Sequence, residues 1–293
     1  MSNSWLYVLG VGLIVLGGVC LSSGGILIRY VQDADAWTIL FYRSTAFSGM
    51  LFGVVVLRHR LKAPKAFVAI GANGIILALA LGGGFICYVF AMLLTSVASV
   101  AFIISAAPFF AGLLGWLFLR ERVQLITWLL IAGAMFGMAM IFADGLVTGH
   151  VLGTIISLGL PVSFAIMIVM IRRAGDTDML PATCLAGVVA AIIGLLMSDT
   201  LAISTSDLIL TVILGVGQLG LGFMLITLGV RYVPAAESAL LSLSETILAP
   251  IWAWLFLAEV PLPLAVVGGL IVVICVAIQG TVGVWHERRG DSE

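Results

Sequence analysis

The chain has 293 residues, of which 62% are hydrophobic and only 9% charged, with a mean hydropathy of +1.27. A soluble domain carries about 25% charged residues, and no soluble core hides this much apolar surface, so a water-soluble globular protein is excluded. The net charge of -1 comes with no basic patch or aromatic-basic module, so no nucleic-acid partner is expected.

The lipid bilayer is therefore the expected solvent and partner. An apolar run of about 20 residues crosses a hydrocarbon layer of about 30 Å as a helix, with every backbone group bonded internally. With charges and turn residues as punctuation, the first half gives spans 1 to 5 near residues 6–28, 37–57, 67–91, 97–118 and 123–143. The second half gives spans 6 to 10 near 150–171, 180–197, 207–229, 235–257 and 262–284. The expected fold class is an all-α integral membrane protein of ten transmembrane helices. Span 1 has no Lys or Arg before it and contains Ser22, Ser23 and Gly24, which favours a retained helix over a cleaved signal peptide. Pro108, Pro161 and Pro250 lie inside spans 4, 6 and 9 and are expected to kink them, because proline lacks a backbone donor.

Thirteen Lys and Arg residues fix the orientation. Eleven fall on the side that holds both termini: Arg58, Arg60, Lys62, Lys65, Arg120, Arg122, Arg172, Arg173, Arg231, Arg288 and Arg289. Arg29 alone falls opposite, and Arg43 lies within span 2. The expectation is a multi-pass protein of the cell inner (plasma) membrane with both termini cytoplasmic.

An internal repeat is visible. Gly115-Trp116-Leu117-Phe118-Leu119-Arg120-Glu121 returns as Ala253-Trp254-Leu255-Phe256-Leu257-Ala258-Glu259, at an offset of 138. The same offset pairs Gly82 with Gly220, Gly84 with Gly222, Phe85 with Phe223 and Ala98 with Ala236. Because each half has five spans, an odd number, the second half enters the membrane from the side opposite to the first. Two inverted five-helix repeats are expected, residues 1–145 and 146–293, an architecture that places a substrate site near the midplane between the halves.

The stretch from Gly82 through Val123, with its glycine-rich helix, Pro108 and the Trp-Leu-Phe-Leu-Arg-Glu end, resembles the EamA unit of the drug/metabolite transporter superfamily; a second copy runs from Gly220 to Pro261. The family's Glu-Pro pair before the Trp is split: the first copy has Ala107-Pro108 and the second Glu245-Thr246. The resemblance implies a central cavity lined by spans 1, 3, 4, 6, 8 and 9, with spans 5 and 10 outside it. It also implies a small-molecule substrate: an amino acid, another metabolite, a nucleotide sugar or a toxic compound. Bacterial members of this kind are largely exporters, the YddG-like amino acid exporters among them.

An ionisable group in the membrane costs about 2.5–3.5 kcal/mol on insertion scales, so Arg43 and Glu245 need a reason to be there. Arg43 lies six residues into span 2 from the outer face and Glu245 ten residues into span 9 from the inner face. At 1.5 Å per residue their depths are about 9 and 15 Å, and in a layer of about 30 Å their levels differ by about 6 Å. They are expected either to pair inside the bundle, with snorkelling to the headgroups as the variant for Arg43, or to face a cavity. There they would bind a charged substrate or take up protons, a role that suits Glu245 best. Further candidates on the inner spans are Ser22, Ser23, Asn73, Tyr88, Ser105, Ser163, Gln218, Ser242 and Ser244. Each has an alternative role as a hydrogen bond between helices.

The four cysteines, Cys20, Cys87, Cys184 and Cys275, lie in apolar runs without metal-binding spacing, so neither metal nor disulfide is expected. No GxSxG, HExxH or P-loop occurs, so the chain is not expected to be an enzyme or to use ATP or another cofactor. The leading expectation is a monomeric secondary transporter that exports amino acids or related metabolites by alternating access. A passive channel or facilitator, a multidrug efflux carrier and an intramembrane enzyme or lipid-handling protein are the rivals.

Overall fold

The computed structural model describes residues 3–94, 100, 103–104, 106–120, 124–142 and 151–245, and helical positions 248, 252, 255–256, 267–268, 270–271, 274–275 and 277–278. Every regular element among them is helical: α1 (Asn3–Leu21), α2 (Gly24–Arg29), α3 (Ala36–His59), α4 (Ala63–Ala69), α5 (Gly71–Leu94), α6 (Ala107–Leu114), α7 (Leu125–Phe142) and α8 (Val151–Ser157). The order continues with α9 (Gly159–Arg173), α10 (Leu180–Met197), α11 (Thr205–Ile213), α12 (Gly222–Gly229) and α13 (Ala235–Ser242). Six helices among the described residues are long and apolar enough to cross a membrane: Trp5–Ile28, Ala36–Ala69, Gly71–Leu94, Ile155–Arg173, Leu180–Met197 and Thr205–Tyr232. Ala107–Leu119 and Leu125–Gly137 are shorter apolar helices, and most of the expected span 10 lies outside the described residues.

Local chemistry sets the helix ends. Asp35 Oδ1 accepts from the backbone N–H of Trp37 (2.8 Å) and Thr38 (2.9 Å), capping α3. The Ser204 hydroxyl accepts from Asp207 N–H at 3.2 Å and starts α11 in the same way. Gly71, at φ +56°, turns the chain between α4 and α5 in a conformation that favours glycine. Proline acts as expected in two spans: α6 begins at Ala107, beside Pro108, and α9 begins at Gly159, two residues before Pro161. Span 1 has a break without a proline, at Ser22 and Ser23, whose hydroxyls bond back to Val19 O (2.6 Å) and Cys20 O (3.0 Å). Leu214–Leu221, between α11 and α12, is a π-helical segment, a local widening that often accompanies functional sites.

Packing joins the two halves of the chain in reciprocal pairs. In the numbering of the predicted spans, span 1 packs on span 8 (α1 on α12) and span 3 on span 6 (α5 on α9). Span 1 also meets span 9 (α1 and α13), while span 4 meets span 6 (α6 and α9). Span 2 meets span 8 through the π-helical segment, and span 3 meets span 7 (α5 and α10). Exchanging each span with the one five places away converts each contact into its mate. The contacts of α3 with α10 and of α6 with α13 map onto themselves. Two units related by a two-fold axis would make reciprocal contacts of this kind.

The α1–α12 seam is made by glycines. A Cβ at Gly229 would stand 2.7 Å from Gly10 O, and one at Gly10 would stand 2.9 Å from Gly229 O. One turn-pair further along, a Cβ at Gly17 would stand 2.8 Å from Gly222 O. Lipid tails are as apolar as leucine, so close backbone approach and dispersion, rather than escape from water, hold such helices together. The outward surface is correspondingly apolar: Leu57, Val68, Leu79, Leu129, Leu196 and Ile209 are all more than half exposed.

Polar contacts also hold each end of the bundle, most of them between the halves. At the arginine-rich end, Asp178 faces His59 Nε2 (2.8 Å) and Arg58 Nε (3.5 Å). There Tyr7 also donates to Glu237 Oε2 at 2.8 Å, and the Arg172 guanidinium donates to Val233 O. At the opposite end, the Asp207 carboxylate accepts backbone N–H bonds from Gln32 (3.3 Å), Asp33 (2.9 Å) and Ala34 (3.2 Å). Thr38 Oγ1 donates to Thr200 O at 2.9 Å, and Tyr42 donates to Leu201 O at 2.9 Å.

Candidate functional site

A cavity lies inside the bundle, walled by residues of both halves. Its walls come from α1 (Leu21), α3 (Arg43), α5 (Leu81, Gly84, Phe85, Tyr88), α6 (Ala107) and α9 (Leu160, Ser163, Phe164). The π-helical segment adds Gln218 and Leu219, α12 adds Phe223, and the α13 region adds Ser242, Leu243 and Glu245. In predicted-span numbers these are spans 1, 3, 4, 6, 8 and 9, the set implied by the family resemblance, together with span 2 through Arg43. No residue of α7 or α10 contributes.

The apolar floor is aromatic. Phe85 and Phe223, which occupy equivalent places in the repeat, meet edge to face with ring centroids 5.3 Å apart. Phe47 packs on Phe85 at 5.2 Å and on Phe223 at 6.3 Å, and Phe164 reaches Phe223 at 6.3 Å. Sequence reasoning placed no aromatic except Tyr88 at the site. The signal was present in the Phe85–Phe223 echo, but an echo shows duplication without saying which way a ring points.

Arg43 is wholly buried, at 0% exposure. Its Nε, Nη1 and Nη2 have no hydrogen-bond partner, and no ion pair reaches it among the described residues. Its guanidinium carbon stands 5.1 Å from the Tyr88 ring centroid and 5.9 Å from that of Phe85. The ring quadrupoles compensate part of the lost hydration, yet leave every N–H of the fork unused. The ion pair with Glu245 expected from their similar depths is not formed: both side chains line the cavity without bonding each other. Depth along a helix axis fixes the level of a side chain and leaves its direction around the axis open, which is why the pairing failed.

Gln218 stands on the π-helical segment, whose Gly215 lies against the backbone oxygen of Arg43. Its Nε2 donates to Leu21 O at 3.1 Å, while Oε1, buried, has no partner. Gly24 leaves the room that the Gln218 amide and the Tyr88 hydroxyl occupy: a Cβ there would stand 2.8 Å from Nε2 and 2.9 Å from the phenol oxygen.

The sequence-derived candidates thus divide. Arg43, Tyr88, Ser163, Gln218, Ser242 and Glu245 come together around the cavity. Ser163 and Ser242 spend their protons on their own helices, at Gly159 O (2.7 Å) and Ala239 O (2.7 Å), keeping oxygen lone pairs available. Ser22, Ser23 and Ser244 are not in the lining. Ser22 accepts from Trp252 Nε1 at 2.7 Å, Ser23 bonds within its helix, and Ser244 donates to Val15 O at 3.4 Å. They serve as hydrogen bonds within and between helices. Asn73 is also absent from the lining, and Ser105 lies outside the described residues. No group of three or more His, Cys, Asp or Glu among the described residues is placed to hold a metal.

Comparison with known proteins places this geometry. The EamA-like transporter family matches the chain twice, over residues 8–143 and 151–280. The pseudopaline exporter CntI of Pseudomonas aeruginosa (strain UCBPP-PA14) is 29% identical over 283 residues, covering 93% of this chain and 96% of that protein. A crystal structure 17% identical in sequence superposes with a TM-score of 0.76, over 95% of this chain and 99% of the other, and shares the fold. With two family matches end to end and the cavity walled by both, the chain is a multi-pass membrane protein that belongs to the EamA-like transporter family, of drug/metabolite transporter type.

Proposed function

We propose that this protein is a secondary carrier of the cell inner membrane that exports small metabolites, amino acids foremost, by alternating access. The observation that carries the reading is the cavity between the halves, apolar in most of its wall but holding the unbonded Arg43 fork beside Tyr88, Gln218 and Glu245. Apolar walls with a few placed polar groups are the usual composition of a small-molecule site. Outward transport is supported by the likeness to the pseudopaline exporter.

Ten spans, in inverted repeats of residues 1–145 and 146–293 with both termini in the cytoplasm, complete the proposal. The reciprocal contacts support a two-fold relation between halves, and five spans per half make that relation an inversion. The two end networks supply what alternating access needs. One joins spans 2 and 6–7 at the arginine-rich end, and the other joins the 1–2 loop to span 8 at the opposite end, so each can open while the other stays bonded. The arginine-rich end is the cytoplasmic one.

The test is counterflow. Purified protein in liposomes loaded with a standard amino acid should concentrate the labelled form of that amino acid transiently from outside, with saturable initial rates for at least one of them. Fluxes that rise linearly with concentration and ignore substrate on the far side would instead be those of a channel.

A further inference from the structure

We infer that the molecule held in this cavity is a zwitterion whose carboxylate seats on Arg43 and whose ammonium group faces Glu245 and the Oε1 of Gln218. The inference deepens the exporter reading and rests on it for transport, though not for binding.

Arg43 is fully buried, lines the cavity, and has three nitrogens without a partner among the described residues. Two aromatic faces hold the guanidinium from the side, 5.1 and 5.9 Å from their centroids, so its plane is braced while its N–H edge stays unspent. A planar fork of donors in a site shielded from water matches the two oxygens of a carboxylate in a bidentate pair. A buried arginine whose fork has no protein partner is suited to a binding site rather than to a structural role, in which arginine is found paired.

The rest of the wall selects the other end of the ligand. Glu245 brings one carboxylate into the same cavity, and among the described lining residues these two are the only charged groups. Gln218 has its donor fixed on Leu21 O, so its free Oε1 can only accept. A doubly charged anion such as a phosphate would meet one cation and one anion here, with net repulsion or incomplete pairing. A molecule with one carboxylate and one ammonium group matches the cavity charge for charge. The aromatic floor of Phe85, Phe164 and Phe223 leaves an apolar space for the remainder of such a molecule.

The test uses two readouts on the full-length protein. In detergent, thermal stability is measured with each standard amino acid, its C-terminal amide and its N-acetyl derivative at millimolar concentration; in liposomes, the same compounds compete for counterflow. The amino acid that binds best should lose about 100-fold or more in apparent affinity as its amide, the size expected when a buried polar group loses its ligand partner. It should lose less, though still at least about tenfold, as its N-acetyl derivative, whose amide can no longer pair with Glu245 as an ion. Arg43→Gln should bring the parent and its amide to equal affinity, and Glu245→Gln should do so for the parent and its N-acetyl form. If Arg43→Gln yields no folded protein, the comparison of ligands on the unaltered protein decides alone. Zwitterion binding without counterflow would leave this inference standing and remove the exporter reading. Counterflow of neutral or purely cationic compounds, with amides equal to parents, would keep the exporter and overturn the inference. Stabilisation by none of the amino acids would overturn it as well.

Discussion

Gly229→Leu is expected to remove most of the folded protein, whereas Gly12→Leu, in the same helix pair, should leave it intact. At Gly229 the first added carbon would stand 2.7 Å from the backbone oxygen of Gly10 and 2.8 Å from the Ile14 side chain, so both helices would have to separate. At Gly12 an added Cβ meets nothing within 4 Å. Overpacking a tight contact costs about 1–3 kcal/mol, occasionally more. Here the obstruction is backbone, which gives way less easily than a side chain, so the expectation lies at or above the top of that range. Every 1.4 kcal/mol or so multiplies the unfolded population about tenfold, so a loss at the top of that range raises it about 100-fold, and the monodisperse fraction in size-exclusion chromatography should fall as the unfolded chain aggregates. Equal yields from the two variants would mean that α1 and α12 do not pack as described.

Phe223→Ala should lower thermal stability strongly and damage the cavity at the same time. Its ring meets those of Phe47, Phe85 and Phe164, and is 8% exposed because one edge borders the cavity. Truncating a buried Phe to Ala costs about 3–5 kcal/mol in water-soluble cores. The lower part of that range is expected here, since the cavity already relieves one edge and lipid-embedded packing gains little from the exclusion of water. Phe136→Ala, at a ring 63% exposed on the outer surface, should change the melting temperature little. Similar shifts for the two would show that the aromatic floor does not hold the halves together.

Much of this architecture was written in the sequence, and the parts that were not have physical reasons. Span 7 is predicted at 180–197 and found at Leu180–Met197, because Asp178, Pro181 and Asp199 bound an uninterrupted apolar run. Proline marked the interruptions in spans 4 and 6. The break at Ser22–Ser23 and the turn at Gly71 carried weaker signals, since serine and glycine are common inside membrane helices. The π-helical segment that presents Gln218 leaves no trace in hydrophobic periodicity, because one extra residue in a helix apolar on every side changes no pattern.

The site was legible in kind and partly in place. Arg43 and Glu245 stood out as charges in apolar runs, and both line the cavity, but their mutual geometry depends on rotation about two helices, which depth does not determine. The serines Ser22, Ser23 and Ser244 could not be told from site residues by type, since a hydroxyl that bonds a neighbouring carbonyl and one that meets a ligand look alike in sequence. Asp207 was passed over as a span boundary. Nothing in the sequence announced that its carboxylate would hold the three loop N–H groups of Gln32, Asp33 and Ala34.

We propose that one cavity between the halves is reached from one side of the membrane at a time. It is tested most directly by a single cysteine in the cavity wall, Ser163→Cys, in a chain whose Cys20, Cys87, Cys184 and Cys275 are replaced. A second pair, Asp33→Cys with Asp207→Cys, is added so that the end network holding Asp33 N–H on Asp207 at 2.9 Å can be locked by oxidation. Labelling by a membrane-impermeant maleimide is followed in right-side-out and inside-out vesicles. With the lock closed, position 163 should react only from the arginine-rich side; on reduction it should also become reachable from the other. Reaction from the locked side at an unchanged rate, or from neither side in either state, would contradict the account.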